Sequence, residues 1–176
     1  MNSGGIKVRA LETIGEREMR GLCDVLIDCV DGGASVSFMH PMTRAKAESF
    51  WSSAAASLAR NERLVLVAED WVGICGTVQV ILNLPENQPH RGDVAKMLVH
   101  RRARRMGVGT GVLAAAERAA FDAGRTLLVL DTANPDAERL YERGGWSRVG
   151  TVPKYALMPD GPFCSTVFFY KDLAVR

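Results

Sequence analysis

The segment Arg104-Arg105-Met106-Gly107-Val108-Gly109-Thr110-Gly111 sets three glycines at alternate positions behind a run of arginines. It falls between a strand pattern and a helix pattern. Glycines there let a ligand approach the backbone closely, and the free N–H groups of a first helical turn point at whatever lies in that approach. Phosphate is the natural guest. Arg101, Arg102, Arg104 and Arg105, four arginines within five residues, would add charge-assisted hydrogen bonds. Alone, the pattern is equally a glycine-rich turn beside a solvated basic run. A P-loop is excluded, because Val112 and Leu113 stand where Lys-Ser/Thr is required. A dinucleotide loop is a nearer rival, since Asp131 lies about 20 residues on, where a ribose-binding acid would sit. Yet the glycines run GxGxG rather than GxGxxG, and they come several residues after their strand.

Other chemistry-bearing residues are sparse. Cys23, Cys29, Cys75 and Cys164 are scattered, with no CxxC pair and no histidine at metal-ligand spacing. Reduced core thiols and no metal site are expected. Of His40, His90 and His100, the last closes a strand inside the arginine run and reads as a surface residue.

The elements that must position these residues follow from hydrophobic periodicity. Ile6 to Leu11 alternates as a strand, and Ile14 to Val30 carries apolar residues at helical spacing until Asp31-Gly32-Gly33 stops it. A loop from Ala34 to Met42 leads to Thr43, which has the chemistry to cap a second helix running to about Arg60. Arg63 to Glu69 and Val72 to Leu82 read as a hairpin around an Asp70-Trp71 turn. Asn83 to Arg91 is a loop, and Asp93 to His100 a strand that feeds the basic segment. A helix from about Val108 to Ala123 follows. Thr126 to Leu130 is a continuous apolar run, expected of a strand covered on both faces, with Asp131 at its end. Asp136 to Arg143 is a short helix, and Ser147 to Val152 and Thr166 to Lys171 are the last strands. The order βααβββαβαββ predicts an α/β fold, a mixed sheet with helices on both faces.

At 176 residues, 47% hydrophobic and 24% charged, the chain is sized for one domain spanning 1–176. A net charge of +2 does not suggest a nucleic-acid binder. MNSGGIKVRALE lacks a signal-peptide apolar run, and no stretch is long enough for a membrane span, so a cytoplasmic protein is expected.

Two motifs at consistent spacing resemble a known family. Lys96-Met97-Leu98-Val99-His100 followed by Arg104-x-x-Gly107-x-Gly109 is similar to the pyrophosphate-binding signature of the GNAT superfamily of acetyltransferases. Asn134, Ala137, Tyr141 and Gly145-Trp146 resemble its N-x-x-A-x-x-x-Y-x-x-x-G-F motif, with Trp146 in place of Phe. Arg101 and Arg105 stand where the family usually has Pro and Gly. A narrower likeness, carried by Asp31 to Met39, Leu130 to Thr132 and Arg148 to Gly161, is to the branch that acetylates a β-lactam toxin, tabtoxin.

The resemblance implies an acyl-CoA N-acyltransferase fold with splayed central strands, and acetyl-CoA as cosubstrate. It implies cofactor contacts from Leu98, Val99, Arg104, Arg105, Met106, Gly107, Val108, Gly109, Thr110, Asn134 and Tyr141. Tyr141 is the implied proton donor to the departing thiolate. Its ordinary pKa of about 10 lies near that of a thiol, about 8.5. Asp93 and Asp131, near the ends of the splayed strands, are the candidate bases, acting directly or through water. Gly33, Ser35 and Phe38, in the loop between the first two helices, are expected to meet the acceptor with Asp93 and Asp131, and Arg91 is a candidate for an acceptor carboxylate. The expected reaction is transfer of acetyl to an amine of a small amino-acid-like molecule, β-lactam-bearing ones included. A protein N-terminus or a polyamine remains an alternative acceptor, as does a non-catalytic acetyl-CoA-binding module. A homodimer is compatible with the resemblance.

Overall fold

The structure, a computed structural model, describes residues 5–174; the first four residues of the N-terminal segment read above lie outside it. The elements in chain order are β1 (Lys7–Ala10), α1 (Glu16–Asp31), α2 (Arg44–Ala59), β2 (Arg63–Glu69), β3 (Ile74–Ile81), β4 (Arg91–Val99), a 3-10 turn (Arg101–Ala103), α3 (Val108–Asp122), β5 (Leu127–Thr132), α4 (Pro135–Arg143), β6 (Ser147–Leu157) and β7 (Phe163–Asp172). The strands form one seven-stranded sheet in the order β1-β2-β3-β4-β5-β7-β6. All neighbours are antiparallel except β4 and β5. The expected element order and the mixed sheet are those observed.

Alternation along the strands builds two cores. Val65 and Val67 of β2 meet Leu22, Leu26 and Trp51 from α1 and α2. Leu66 and Ala68, with Val78 and Val80 of β3, meet Val112, Leu113, Ala116 and Ala120 of α3 on the other face. Fully burying a side chain of the size of Leu22 or Leu26 contributes about 1.5–3 kcal/mol. All four cysteines are free thiols, and all but Cys164 are buried. Thr43 caps α2 as expected, its hydroxyl accepting from the Lys46 N–H.

Several boundaries differ from the sequence reading. The hairpin turn is wider than Asp70-Trp71: the Asp70 carboxylate accepts from the N–H groups of Val72 and Gly73, so β3 starts only at Ile74. That side-chain bond offers the backbone an alternative to the strand ladder. Strand β4 begins at Arg91 and β5 runs on to Thr132, which puts Asp93 and Asp131 inside strands. Nor is β5 covered on both faces. Leu128 and Leu130 are buried by α3 and α4, whereas Leu127 and Val129 on the other face are only partly covered. The β6–β7 hairpin is longer than expected, β6 running on through Pro153 to Leu157. β6 is the edge strand, where a missing N–H is tolerated, and the register shifts between Val152 and Ala156 absorb it.

The start of α3 is held against the sheet by the absence of a side chain at Gly76 of β3. A Cβ there would lie 2.5 Å from Val108 Cγ1 and 3.4 Å from the Leu98 carbonyl. A valine in a helix has little χ1 freedom with which to yield. Gly76→Ala is therefore expected to destabilise the fold by about 1–3 kcal/mol, the usual cost of overpacking. Denaturant unfolding should show that loss largely restored in the Gly76→Ala/Val108→Ala double variant.

Candidate active site

Strands β4 and β5 pair through three residues only: Arg91 with Leu127, Gly92 with Leu128, and Asp93 with Val129. Beyond Asp93 they separate, β4 staying with β3 and β5 with β7. The divergence has a local cause. Between Thr77–Leu98 and Gln79–Ala95, β4 spends three steps against two on β3, a bulge in which Lys96 takes a positive φ of 50°. A bulge bends its strand and increases twist. Backbone groups of β4 beyond Asp93 that face the gap therefore have no strand opposite, and Leu98 and Val99 lie on this stretch.

The gap opens towards the N-terminus of α3. Gly107, at φ 79°, forms its N-cap without a side-chain cap, and the first backbone bond is from Gly111 N–H to the Gly107 carbonyl. The N–H groups of Val108, Gly109 and Thr110 are thus left for an external acceptor, with the positive end of the helix dipole behind them. Gly109 sits in a narrow place: a Cβ would lie 3.2 Å from Leu140 Cδ2 of α4 and 3.3 Å from Met97 Cε of β4. Met106 and Thr110 are exposed at the mouth.

The arginine cluster is only half available. Arg101 is held by the Asp28 carboxylate at 2.9 Å, and Arg102 by Asp70 and the Ile74 carbonyl. His100 is not a free surface group either: its Nδ1 accepts the Arg102 N–H and lies 3.5 Å from Asp28. Arg104 donates to the Val99 carbonyl at 3.4 Å, and Arg105 makes no ion pair among the described residues. The N–H groups of α3 with Arg104 and Arg105 fit a pyrophosphate, and the unpaired edge of β4 fits an amide-bearing arm. The donor set is therefore suited to a CoA thioester.

Tyr141 of α4 is 4% exposed, its ring 5.8 Å from Trp146 and 5.7 Å from Phe169. Trp146 in turn donates to Glu117 of α3 at 2.8 Å, which fixes the α4–β6 turn. Burial, and then the charge of Asp131, push the Tyr141 phenol above its ordinary value. It stays protonated across the neutral range, so the close match to a thiol expected from an unperturbed phenol does not hold. Asn134 is spent in part locally: its side-chain oxygen caps α4, accepting from Asp136 and Ala137 N–H.

On the opposite face, Asp93 and Asp131 are brought together by register, since Val129 lies opposite Asp93 and Asp131 follows two residues on along the same face. Asp93 pairs with Arg91 at 3.1 Å, which removes Arg91 as a free cation. Its Oδ1 is buried without a partner. Burial raises the Asp93 pKa and Arg91 opposes the shift. Asp131 is exposed and accepts from the Thr166 hydroxyl at 2.6 Å.

Lys96, unassigned from the sequence, joins them. Its ammonium donates to Ser37 Oγ at 3.1 Å and lies over the Phe38 and Phe50 rings at 5.8 and 5.6 Å. Burial lowers its pKa, Asp131 raising it and Arg63 lowering it further. A lysine within a strand pattern was the available signal, but its direction depended on the bulge. Of the loop residues, Phe38 lines this face. The Ser35 hydroxyl is committed to the Leu157 carbonyl at 3.0 Å, and Gly33 completes the α1 stop through its N–H to Val30.

A mixed sheet parted at its centre, with an uncapped glycine-started helix at the opening, defines an acyl-CoA-binding transferase fold. The acetyltransferase (GNAT) family model matches residues 33–146, and the chain belongs to this family. It is an acetyl-CoA-dependent N-acetyltransferase. Among solved structures, an N-acetyltransferase from Staphylococcus aureus Mu50 is similar at a TM-score of 0.79 and 16% identity, covering 96% of this chain and 99% of that one. A ribosomal-protein-alanine N-acetyltransferase from Brucella melitensis aligns at 0.78 and 20%, covering 94% and 99%. The protein yncA of Salmonella typhimurium, solved with acetyl-CoA, aligns at 0.79 and 14%, covering 98% and 96%. Among the described residues no cluster of three or more His, Cys, Asp or Glu could hold a metal ion. No described helix is long and apolar enough to cross a membrane.

The contacts at Gly109 fall on the ends of two flexible side chains, so Gly109→Ala is expected to be tolerated. Gly109→Val should force Leu140 and Met97 into the opening and weaken CoA binding by at least about tenfold, about 1.4 kcal/mol. Calorimetric titration with CoA checks this, and normal affinity in the valine variant would remove the loop from the cofactor site.

Proposed function

We propose that the enzyme acetylates the primary amine of a small, amino-acid-like molecule, β-lactam-bearing ones included. The observation that carries this is the closure of the acceptor side. The loop between α1 and α2 is tied to the far hairpin by Ser35 to the Leu157 carbonyl and by the His40 N–H to the Pro159 carbonyl, both at 3.0 Å. That strap crosses the acceptor side, where Phe38 stands beside Lys96, and such a crossing favours a small acceptor over an extended peptide, which needs an open trench. The likeness of the same loop to the toxin-acetylating branch points in the same direction.

Acetyl-CoA supplies the acetyl group as a thioester. The N–C bond to the amine forms as the C–S bond breaks, the amine gives up a proton, and CoA leaves as a thiolate that takes a proton from solvent. Asp93 is suited to take the amine's proton: burial lifts its basicity, and one oxygen has no partner. Asp131 is suited to hold the ammonium form before transfer. Tyr141 keeps its proton at Oη and so supplies a hydrogen bond to the departing sulfur rather than a freely ionising acid. Backbone N–H near Leu98 is the proposed polariser of the carbonyl.

Tyr141→Phe is expected to lower kcat by about 10²-fold, the usual cost of losing one hydrogen-bond donor to charge developing in the transition state, with little change in CoA affinity. For Asp93 the sign follows from its raised pKa. The carboxylate is protonated and inactive below that value, so kcat/KM for the amine should fall as pH falls through a point above the ordinary carboxylate range of about 4. Asp93→Asn should remove that limb while leaving CoA binding intact, and a limb that persists would assign the base elsewhere. The reaction class is tested by thiol release with tabtoxinine-β-lactam, free amino acids, polyamines and N-terminal peptides under identical conditions. Preference for small amino-acid-like amines is expected, and preference for peptides would overturn the acceptor reading.

A further inference from the structure

The first residue of β2, Arg63, lies opposite Ile81 of β3, which lies opposite Asp93 of β4. Directly opposed residues in antiparallel strands share a face, so Arg63 and Asp93 stand on the same side of the sheet, two strand spacings apart, about 10 Å. Gln79, two residues before Ile81, is on that face too. It is 1% exposed and takes the Arg63 Nη1 hydrogen bond on its Oε1. That bond fixes the amide orientation, since a guanidinium only donates, and leaves Gln79 Nε2 buried without an acceptor. Arg63 Nε is also buried without an acceptor, and Arg63 makes no ion pair among the described residues.

Lys96 adds a second cation from the bulge. Its only polar partner among the described residues is neutral Ser37, and no carboxylate reaches ion-pair distance. Gln79, which holds Arg63, lies opposite Ala95, the residue before Lys96. Burial depresses the pKa of both cations, against Glu62 at Arg63 and Asp131 at Lys96. Two half-buried cations with no carboxylate at ion-pair distance, beside a buried amide N–H₂ with no acceptor, leave unused donor capacity on the acceptor side of the sheet. Buried donors in native proteins are nearly always paired, and a desolvated cation pair is costly without an anion. The complementary excess of acceptors, Asp93 Oδ1 and Asp131, lies towards the β4–β5 gap.

We propose that Arg63, Gln79 and Lys96 form the subsite for the carboxylate of the acetyl acceptor, fixing an α-amino acid with its amine turned towards Asp93, Asp131 and the gap. This rests on the small-acceptor reading and replaces Arg91, which is occupied by Asp93, as the carboxylate ligand. Arg63 and Gln79 are specificity-determining residues, because they discriminate acceptors without touching the reacting carbonyl.

The test compares the twenty L-α-amino acids with their C-terminal amides, which keep the amine and lose the carboxylate. Calorimetry on the CoA-loaded enzyme reads acceptor binding apart from turnover, and initial rates read KM and kcat. Wild type should bind at least one free acid roughly tenfold to hundredfold more tightly than its amide, as expected for a charge-assisted pair. Arg63→Gln and Lys96→Met should abolish that preference by raising KM for the acid far more than KM for the amide. Arg63→Lys, which keeps the charge but loses the planar fork, should fall between. Acids that bind no better than amides, or a preference that survives in both Arg63→Gln and Lys96→Met, would overturn the subsite. Turnover of amides or polyamines without an acid preference removes the subsite alone. Turnover confined to N-terminal peptides removes the small-acceptor reading as well.

Discussion

The parting of β4 and β5 after three paired residues is the constraint on which the rest of the molecule depends. A sheet interior normally leaves no backbone group free, since an unpaired buried donor or acceptor costs about 1–3 kcal/mol. Here each strand has its outer neighbour, β3 or β7, to anchor it, so the inner edges can stay open without the sheet falling into two. The bulge at Lys96 provides the bend, and the positive φ of a non-glycine residue there is the kind of local strain, about 1–3 kcal/mol, that persists only when its surroundings impose it. A ligand able to hydrogen-bond along the open edge gains what a neighbouring strand would otherwise supply.

Everything flanking the gap is arranged by which face it comes from. The face of α3 and α4 carries the helix N-terminus, the two available arginines and the phenol of Tyr141, embedded in a close-packed core with Trp146 and Phe169. The face of α1 and α2 carries Asp93, Lys96, Gln79 and Arg63, which are polar and only partly compensated. Asp131 belongs to that second face by its position on β5. Its charge nevertheless acts on Tyr141 from the other face of the sheet as well as on Lys96 across the gap. Desolvation is the largest cause of the shifts at Tyr141, Lys96 and Asp93 alike, as expected of a cleft that excludes water before a ligand arrives.

The architecture also explains how a strongly basic segment can be locally quiet. Arg101 and Arg102 are consumed in tying the 3-10 turn to α1 and to the β2–β3 hairpin through Asp28 and Asp70. These pairs place the following glycine turn. Their charge is largely neutralised, so attraction for an anion falls to Arg104, Arg105 and the α3 dipole.

Periodicity, glycine punctuation and caps act within a few residues, and for that reason the element order, the Thr43 cap, the glycine turn before Val108 and the Asn134-to-Trp146 motif were legible in the chain itself. The strands and helix that carry Asp93, Asp131 and Tyr141 follow from the same short-range patterns, whereas the parting of those strands was implied by the family resemblance alone. What no local pattern carries is pairing. That two arginines would be neutralised by Asp28 and Asp70, 73 and 32 positions away, depends on tertiary contacts. That Arg91 would be occupied by Asp93, and Ser35 by Leu157, depends on side-chain direction and on how the two ends of the chain pack. The bulge at Lys96 was hidden for a related reason. A single extra residue in β4 is visible only against the count of residues in β3, and one residue of register decides which face of a sheet a side chain meets.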